Sequence, residues 1–274
     1  MNRSVRVLVG LALLLALLAG SGCTKLRARD QLNKGVQSYK NARYEEAIEH
    51  FKNAVALDPS LVNARLYLAT AYAQQYIPGA DTPENNRFGE QAIDEFKKVL
   101  DQNPSRDAQI GSLKGIASLY FNMKKLDLAK EFNRKVTEKD ANDPEAFYSI
   151  GVIDWTEAYQ PRMEERAKLG LKPVDDLKDK KVCAMLKEKN QEKVEDGIQA
   201  LEKALQLRPD YDDAMAYMNL MYRERADYEC DDAAARAADK KTADEWVDKT
   251  MAVKKSKAEK AAPGGIVMEE NKQQ

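Results

Sequence analysis

Gly35-Val36-Gln37-Ser38-Tyr39, then Tyr44-Glu45-Glu46-Ala47-Ile48, then Phe51, Ala54 and Leu57-Asp58-Pro59, spells out two short helices and a stop. Ala47 follows Gly35 by 12 residues, Phe51 follows by four more, Ala54 by three and Pro59 by five. Steps of three and four put Ala47, Phe51 and Ala54 on one helix face. Pro59 cannot continue the backbone hydrogen bonding and closes the helix. Gly35 and Ala47 have almost no side chain, so two antiparallel helices can approach closely there. Phe51 has the bulk to fill the wedge between one hairpin and the next.

The register returns four times. Leu68-Ala69 and Tyr72 reopen it ten residues after Pro59, and Ala92, Phe96, Val99 and Pro104 close it. Pro59 to Pro104 is 45 residues, 11 beyond a 34-residue period, and the surplus lies in Tyr76 to Pro83. A third, looser unit runs through Gly115, Ser118, Ala129 and Val136 to Ala141. A fourth opens with Phe147, Ile150-Gly151 and Trp155 and closes with Gly197, Leu201, Ala204 and Pro209. Ala141 and Pro209 stand 68 residues apart, two periods, so either a degraded repeat is hidden there or one hairpin is lengthened. Apolar residues at three- and four-residue steps from Leu177 to Leu205 favour the long hairpin, with Gly170 and Pro173 at its turn and Pro161 kinking its first helix. Met215, Met218-Asn219 and Tyr222 open a fifth unit, whose second helix begins near Thr242.

This pattern resembles the tetratricopeptide repeat: a small residue on the first helix, Ala and an aromatic on the second, and Pro at the end. The resemblance implies an all-α, right-handed superhelical solenoid of about five helical hairpins, with extensions in the second, fourth and fifth. The units are residues 28–61, 62–106, 107–143, 144–211 and 212–257, in a repeat domain of residues 30–257. First helices line the inner wall of such a solenoid. Family position then assigns the groove to Leu32, Val36 and Tyr39; Leu66, Thr70 and Ala73; Ser112, Ile116 and Leu119; Tyr148, Val152 and Trp155; and Ala216, Leu220 and Arg223. An apolar groove of this kind suits an extended or helical segment of a protein partner. The carboxylate-clamp branch of the family uses Lys and Asn where this chain has Leu32, Val36 and Tyr67, which disfavours recognition of a chain terminus. The longest extensions leave one edge of the solenoid, where Pro161-Arg162 and Glu164-Glu165-Arg166 are expected to form a charged rim.

Residues 1–22 read as an address. Arg3 and Arg6 precede an apolar run from Val7 to Ala19, too short to span a bilayer, and Gly20-Ser21-Gly22 lead to Cys23. The layout resembles a bacterial lipoprotein signal, although Gly20 stands where such signals usually carry Leu. It implies a lipid on Cys23, a tether over residues 23–29, and a chain facing the periplasm, with Thr24 favouring the outer membrane. Secretion after cleavage near Gly22, without a lipid, is the alternative. Lipid-anchored helical-repeat subunits also occur in machines that assemble outer-membrane proteins or build type IV pili, a resemblance of architecture alone.

Composition narrows the function further. The chain has 44 Lys+Arg, 45 Asp+Glu and a single His among 274 residues, with 32% charged and 43% apolar residues. Balanced, scattered charge argues against nucleic-acid binding. No CxxC, HExxH, GxSxG or phosphate-cradling loop occurs, and His50 has no second His beside it, so neither an enzyme nor a metal or cofactor site is expected. His50 itself is expected to be exposed. Cys183 and Cys230 fall on adjacent extensions and, in an oxidising compartment, are candidates to pair. Residues 258–274, with Pro263-Gly264-Gly265, read as a flexible tail.

Overall fold

A computed structural model describes residues 23–172, 175–229 and 232–261, and all regular structure among them is helical. Helical backbone over residues 23–40 forms α1. It is followed by α2 (Tyr44–Leu57), α3 (Val62–Gln75), α4 (Pro83–Leu100), α5 (Arg106–Asn122), α6 (Leu126–Lys139), α7 (Pro144–Lys168), α8 (Lys180–Leu207), α9 (Asp212–Tyr228) and α10 (Ala233–Ala261). Among the described residues no helix is long and apolar enough to cross a membrane. The address over 1–22 and the last residues of the tail lie outside them; residues 24–29 form the first turns of α1, where Ala28 is buried, and residues 258–261 extend α10.

The chain divides into two compact units, Met1–Asp140 and Ala141–Gln274. In the first, α3 packs on α2 and α4, and α5 packs on α4 and α6. Ala47, Phe51 and Ala54 of α2 are buried, as are their counterparts Ala92, Phe96 and Val99 of α4. The turn after α1 is made by Asn41-Ala42-Arg43, with Ala42 at φ +57° and Arg43 N donating to Ser38 O at 2.9 Å. The turn after α5 repeats it: Lys124 sits at φ +60°, and Lys125 N donates to Tyr120 O at 2.9 Å. Such a left-handed residue satisfies the last helical carbonyls so that the chain can reverse.

The surplus residues of the second hairpin are pinned rather than loose. The buried Asn85 side chain accepts from Ile77 N at 2.7 Å and donates to Ile77 O at 2.9 Å and to Ala80 O at 2.7 Å. Thr82 Oγ1 accepts from Asn85 N at 3.2 Å and Pro83 occupies the first helical turn, so α4 starts with a side-chain cap.

In the second unit, α7 and α8 are two long helices that pack along each other, while α9 packs on α7, α8 and α10. Asp143 and Asp179 cap α7 and α8 by accepting from backbone N–H groups in their first turns. α7 runs through Pro161, which has no N–H to donate. One residue beyond Glu157, whose carbonyl that N–H would have met, Ala158 O accepts from the buried Asn190 Nδ2 of α8 at 3.0 Å. Leu186, Val194, Leu201, Met218 and Met221 form the interior.

Arg166 is the largest fully buried side chain in the molecule as described, 1% exposed, and this corrects the expectation of a charged rim there. Its guanidinium pairs with Asp227 at 2.7 Å and donates to the carbonyls of Lys172 and Asp175, tying the end of α7 to the loop that follows. Glu164 stays exposed, as expected for a rim. His50 also departs from expectation: it is half-buried, with Nδ1 2.8 Å from Gln31 Oε1, joining α2 to α1.

Candidate binding grooves

The first unit carries a cleft of about 470 Å³ between α3 and α5. Leu66, Thr70, Ala73 and Gln74 form one wall, Gly111, Gly115, Ser118, Leu119 and Asn122 the other, and Tyr76 and Phe96 lie at its base. Leu66, Thr70 and Ala73 were expected there from their family positions. Gln74, Gly111, Ser118 and Asn122 were not. At Gly111 and Ser118 the α5 wall carries little side-chain bulk, so a guest backbone can come close to it there. Thr70 Oγ1 donates to Leu66 O at 2.8 Å, which leaves its lone pairs free to accept. On α1, Tyr39 packs edge-on to Tyr44, with ring centroids 5.3 Å apart. Burial raises the Tyr39 phenol pKa against a lowering hydrogen bond to Gln74. Leu32 and Val36 are half-buried on the same helix.

In the third hairpin the expected groove residues turn inward. Ile116 is 0% exposed, and Ser112 and Leu119 are also buried, although Leu119 still touches the cleft. The cause is a shift of register by two residues. A Cβ on Gly115 would stand 2.7 Å from the ring of Phe96, so this glycine makes room for the preceding hairpin's aromatic. Its own hairpin uses Ala117, which stands 12 residues before Ala129 as Gly35 does before Ala47. Both alanines are buried, and that spacing was the available signal.

The second unit presents an aromatic wall. Tyr148 and Trp155 on α7 face Tyr217 on α9 edge-on, with ring centroids 5.6 Å and 5.4 Å apart. Tyr211 lies 4.9 Å from Tyr148, and Tyr159 lies 4.7 Å from Trp155. The structure thus brings Tyr148 and Trp155 together as expected, with Val152 half-buried between them along α7. Sequence position alone missed Tyr159, Tyr211 and Tyr217. Desolvation raises the phenol pKa values of Tyr148 and Tyr217 and pushes Tyr211 up to about 12, so all three remain neutral donors at ordinary pH. Leu220 is half-buried, whereas Arg223 reaches to Asp244 of α10 at 2.8 Å and so braces the last hairpin.

Other candidate residues stand apart from these surfaces. Cys23 is a free, exposed cysteine at the start of α1. Cys183 is buried in the first turn of α8 and engaged in a disulfide, while Cys230 lies outside the described residues, so the expected pairing stays a proposal. Among the described residues no group of three or more His, Cys, Asp or Glu side chains is placed to hold a metal ion.

Comparison with known proteins bears on the fold. The TPR repeat family matches residues 37–75. No curated protein matches by sequence. The crystal structure of MamA protein superposes with a TM-score of 0.57 at 14% identity, covering 87% of this chain and 98% of MamA. MamA from residue 41 to its end, of Desulfovibrio magneticus RS-1, gives a TM-score of 0.55 at 19% identity, covering 84% of this chain and 96% of that one. YrrB, described as a TPR protein with an unusual peptide-binding site, gives 0.52 at 15% identity, with 84% and 90% covered. At these identities the likeness is one of fold. The repeat matched at residues 37–75, the recurrent Gly/Ala, Phe and Pro spacing and these superpositions together give this chain a tetratricopeptide-type helical-repeat fold.

Proposed function

We propose that this protein is a non-catalytic scaffold, lipid-anchored to a bacterial membrane through Cys23 and facing the periplasm, which holds an extended segment of a protein partner. The observation that carries the binding role is the cleft between α3 and α5. Its wall is open at Gly111 and small at Ser118, which admits a backbone, and Gln74 and Asn122 offer amide groups to hydrogen-bond it. The aromatic wall of the second unit supplies apolar contact area of the kind that dominates binding hot spots. YrrB, with its peptide-binding site, lends the reading an analogy of fold. The anchor rests on the sequence alone, with the outer membrane favoured; several acyl chains on one Cys exceed what stable attachment requires.

Affinity purification from membranes tests both parts. Ser118→Trp, which fills the cleft, and the triple variant Tyr148→Ala, Val152→Ala, Trp155→Ala should each lose partners recovered by the parent chain. Equal recovery by both folded variants would place binding elsewhere. Cys23→Ser should move the chain from the membrane to the soluble fraction, and its retention on the membrane would end the anchor reading.

A further inference from the structure

The last helix ends beside the aromatic wall. Lys257, in the final turns of α10, pairs at 2.6 Å with Asp212, the first residue of α9. The residue before it, Tyr211, has its ring centroid 4.9 Å from that of Tyr148, where the wall begins on α7. From there the wall runs through Val152 to Trp155, about 10 Å along the helix axis. Tyr217 of α9 stands edge-on to the rings at both ends. Tyr148, Val152, Trp155 and Tyr217 are all half-buried, so an apolar strip stays open along these two helices. Charges of both signs surround its Tyr211 end. Arg208 lies over the Tyr211 ring and pairs with Glu145, while Asp210 and Asp213 are exposed. A segment that covers this strip must therefore match it by apolar contact rather than by charge.

α10 ends at Ala261, and the sequence continues Ala262-Pro263-Gly264-Gly265-Ile266-Val267-Met268. Pro263 cannot prolong the helix, and the two glycines accept the backbone angles of a reversal. Three adjacent apolar residues follow. We propose that Ile266-Val267-Met268 folds back over the aromatic wall of its own unit, from Tyr148 toward Trp155, so that a guest of the second unit must displace it. The competition with a guest rests on the wall being a binding surface; the contact itself does not.

Distance permits the contact. Extended chain from Ala261 to Ile266 spans up to about 17 Å. The helical turn from Lys257 to Ala261 is about 6 Å long. The reach thus exceeds that turn and the ring-to-ring step from Tyr211 to Tyr148 together. Three extended residues cover about 10 Å, the length of wall between Tyr148 and Trp155. Met268 is the most adaptable of the three, and its thioether packs well against aromatic rings. A linker this short holds the triplet at roughly millimolar effective concentration, so a contact too weak to form between separate molecules is populated within one.

The chain has two Trp residues, so Trp246→Phe leaves Trp155 as the fluorescent reporter in the full chain. In that background Ile266→Ser, Val267→Ser and Met268→Ser together remove the apolar match without adding charge. Acrylamide quenching of Trp155 should rise about twofold at unchanged helical circular dichroism, as a cover populated at millimolar effective concentration is lost. The rise should persist after about hundredfold dilution, because a contact within one chain does not depend on concentration. Should Trp246→Phe unfold the chain, the same comparison is read with both tryptophans present, Trp246 giving a constant background. Unchanged quenching overturns the proposal. So does a difference that fades on dilution, which would assign the cover to a second copy. The measurement uses no guest, so its failure is distinct from failure of the wall as a binding surface, which is read by partner recovery.

Discussion

Glu224 and Arg166 are charged residues that the fold has taken out of water, and their energetics differ. Arg166 is held through its two terminal nitrogens by Asp227 and two backbone carbonyls, and removing its acid should leave an uncompensated buried cation. Asp227→Ala should therefore cost about 3–5 kcal/mol in urea unfolding of the second unit, far more than loss of an exposed pair such as Lys34–Asp30. Glu224 is only partly compensated, and its folded pKa of about 7 lies above the ordinary 4.5. The folded state thus holds the proton more tightly than the unfolded chain does. Its contribution to stability is complete below about 4.5 and is lost as pH rises through 7. The protein should melt lower at pH 8 than at pH 5.5, by the equivalent of about 1–3 kcal/mol, and Glu224→Gln should flatten that slope. Asp58, Asp176 and Asp212 do not blur the window. Hydrogen bonds from Ser60, Lys240 and Lys257 hold their carboxyls low, so they titrate in more acid solution.

Among the elements, turns and inter-helix contacts respond to opposite substitutions. Ala42 and Lys124 occupy left-handed positions at φ +57° and +60°, where a Cβ is strained. Lys124→Gly should stabilise the first unit by about 0.5–1 kcal/mol, read as a higher urea midpoint at unchanged slope, and a loss would show that the lysine side chain has a larger role. Gly115→Ala should do the reverse. Helix propensity favours the alanine by about 1 kcal/mol, but overpacking against Phe96 costs about 1–3 kcal/mol. A net loss of stability is expected, and a gain would mean that the Phe96 ring yields easily. This glycine also explains why the third hairpin was hard to place from sequence. A small residue marks close approach of two helices, but nothing in its identity says whether the partner helix comes before or after it.

For the molecule as a whole, the lengthened hairpin of the second unit is its main departure from a regular repeat. It carries Cys183, which we propose is joined to Cys230. The closed loop of 47 residues would stabilise that unit by about 4 kcal/mol, less any strain. Without reductant neither thiol should react with an alkylating reagent, and reduction should lower the melting temperature. Labelling of Cys183 and Cys230 before reduction would defeat the pairing.

The repeat itself was legible because close helix packing admits few residue types at Gly35, Ala47, Phe51 and their counterparts. Leu66 and Thr70 line the cleft between α3 and α5, and Tyr148 and Trp155 share one aromatic face of the second unit, since a repeating unit repeats its faces. What lay beyond the sequence was everything set by residues far apart along it. Arg162 and Arg166 meet Glu224 and Asp227 across about sixty intervening positions, and only the long helices α7 and α8 return the chain to bring them together. Local spacing determines which residues a helix turns inward. Which opposite charges meet there, and whether a glycine serves its own hairpin or its neighbour, is decided by tertiary packing, because burial and Coulomb energy depend on distance in space.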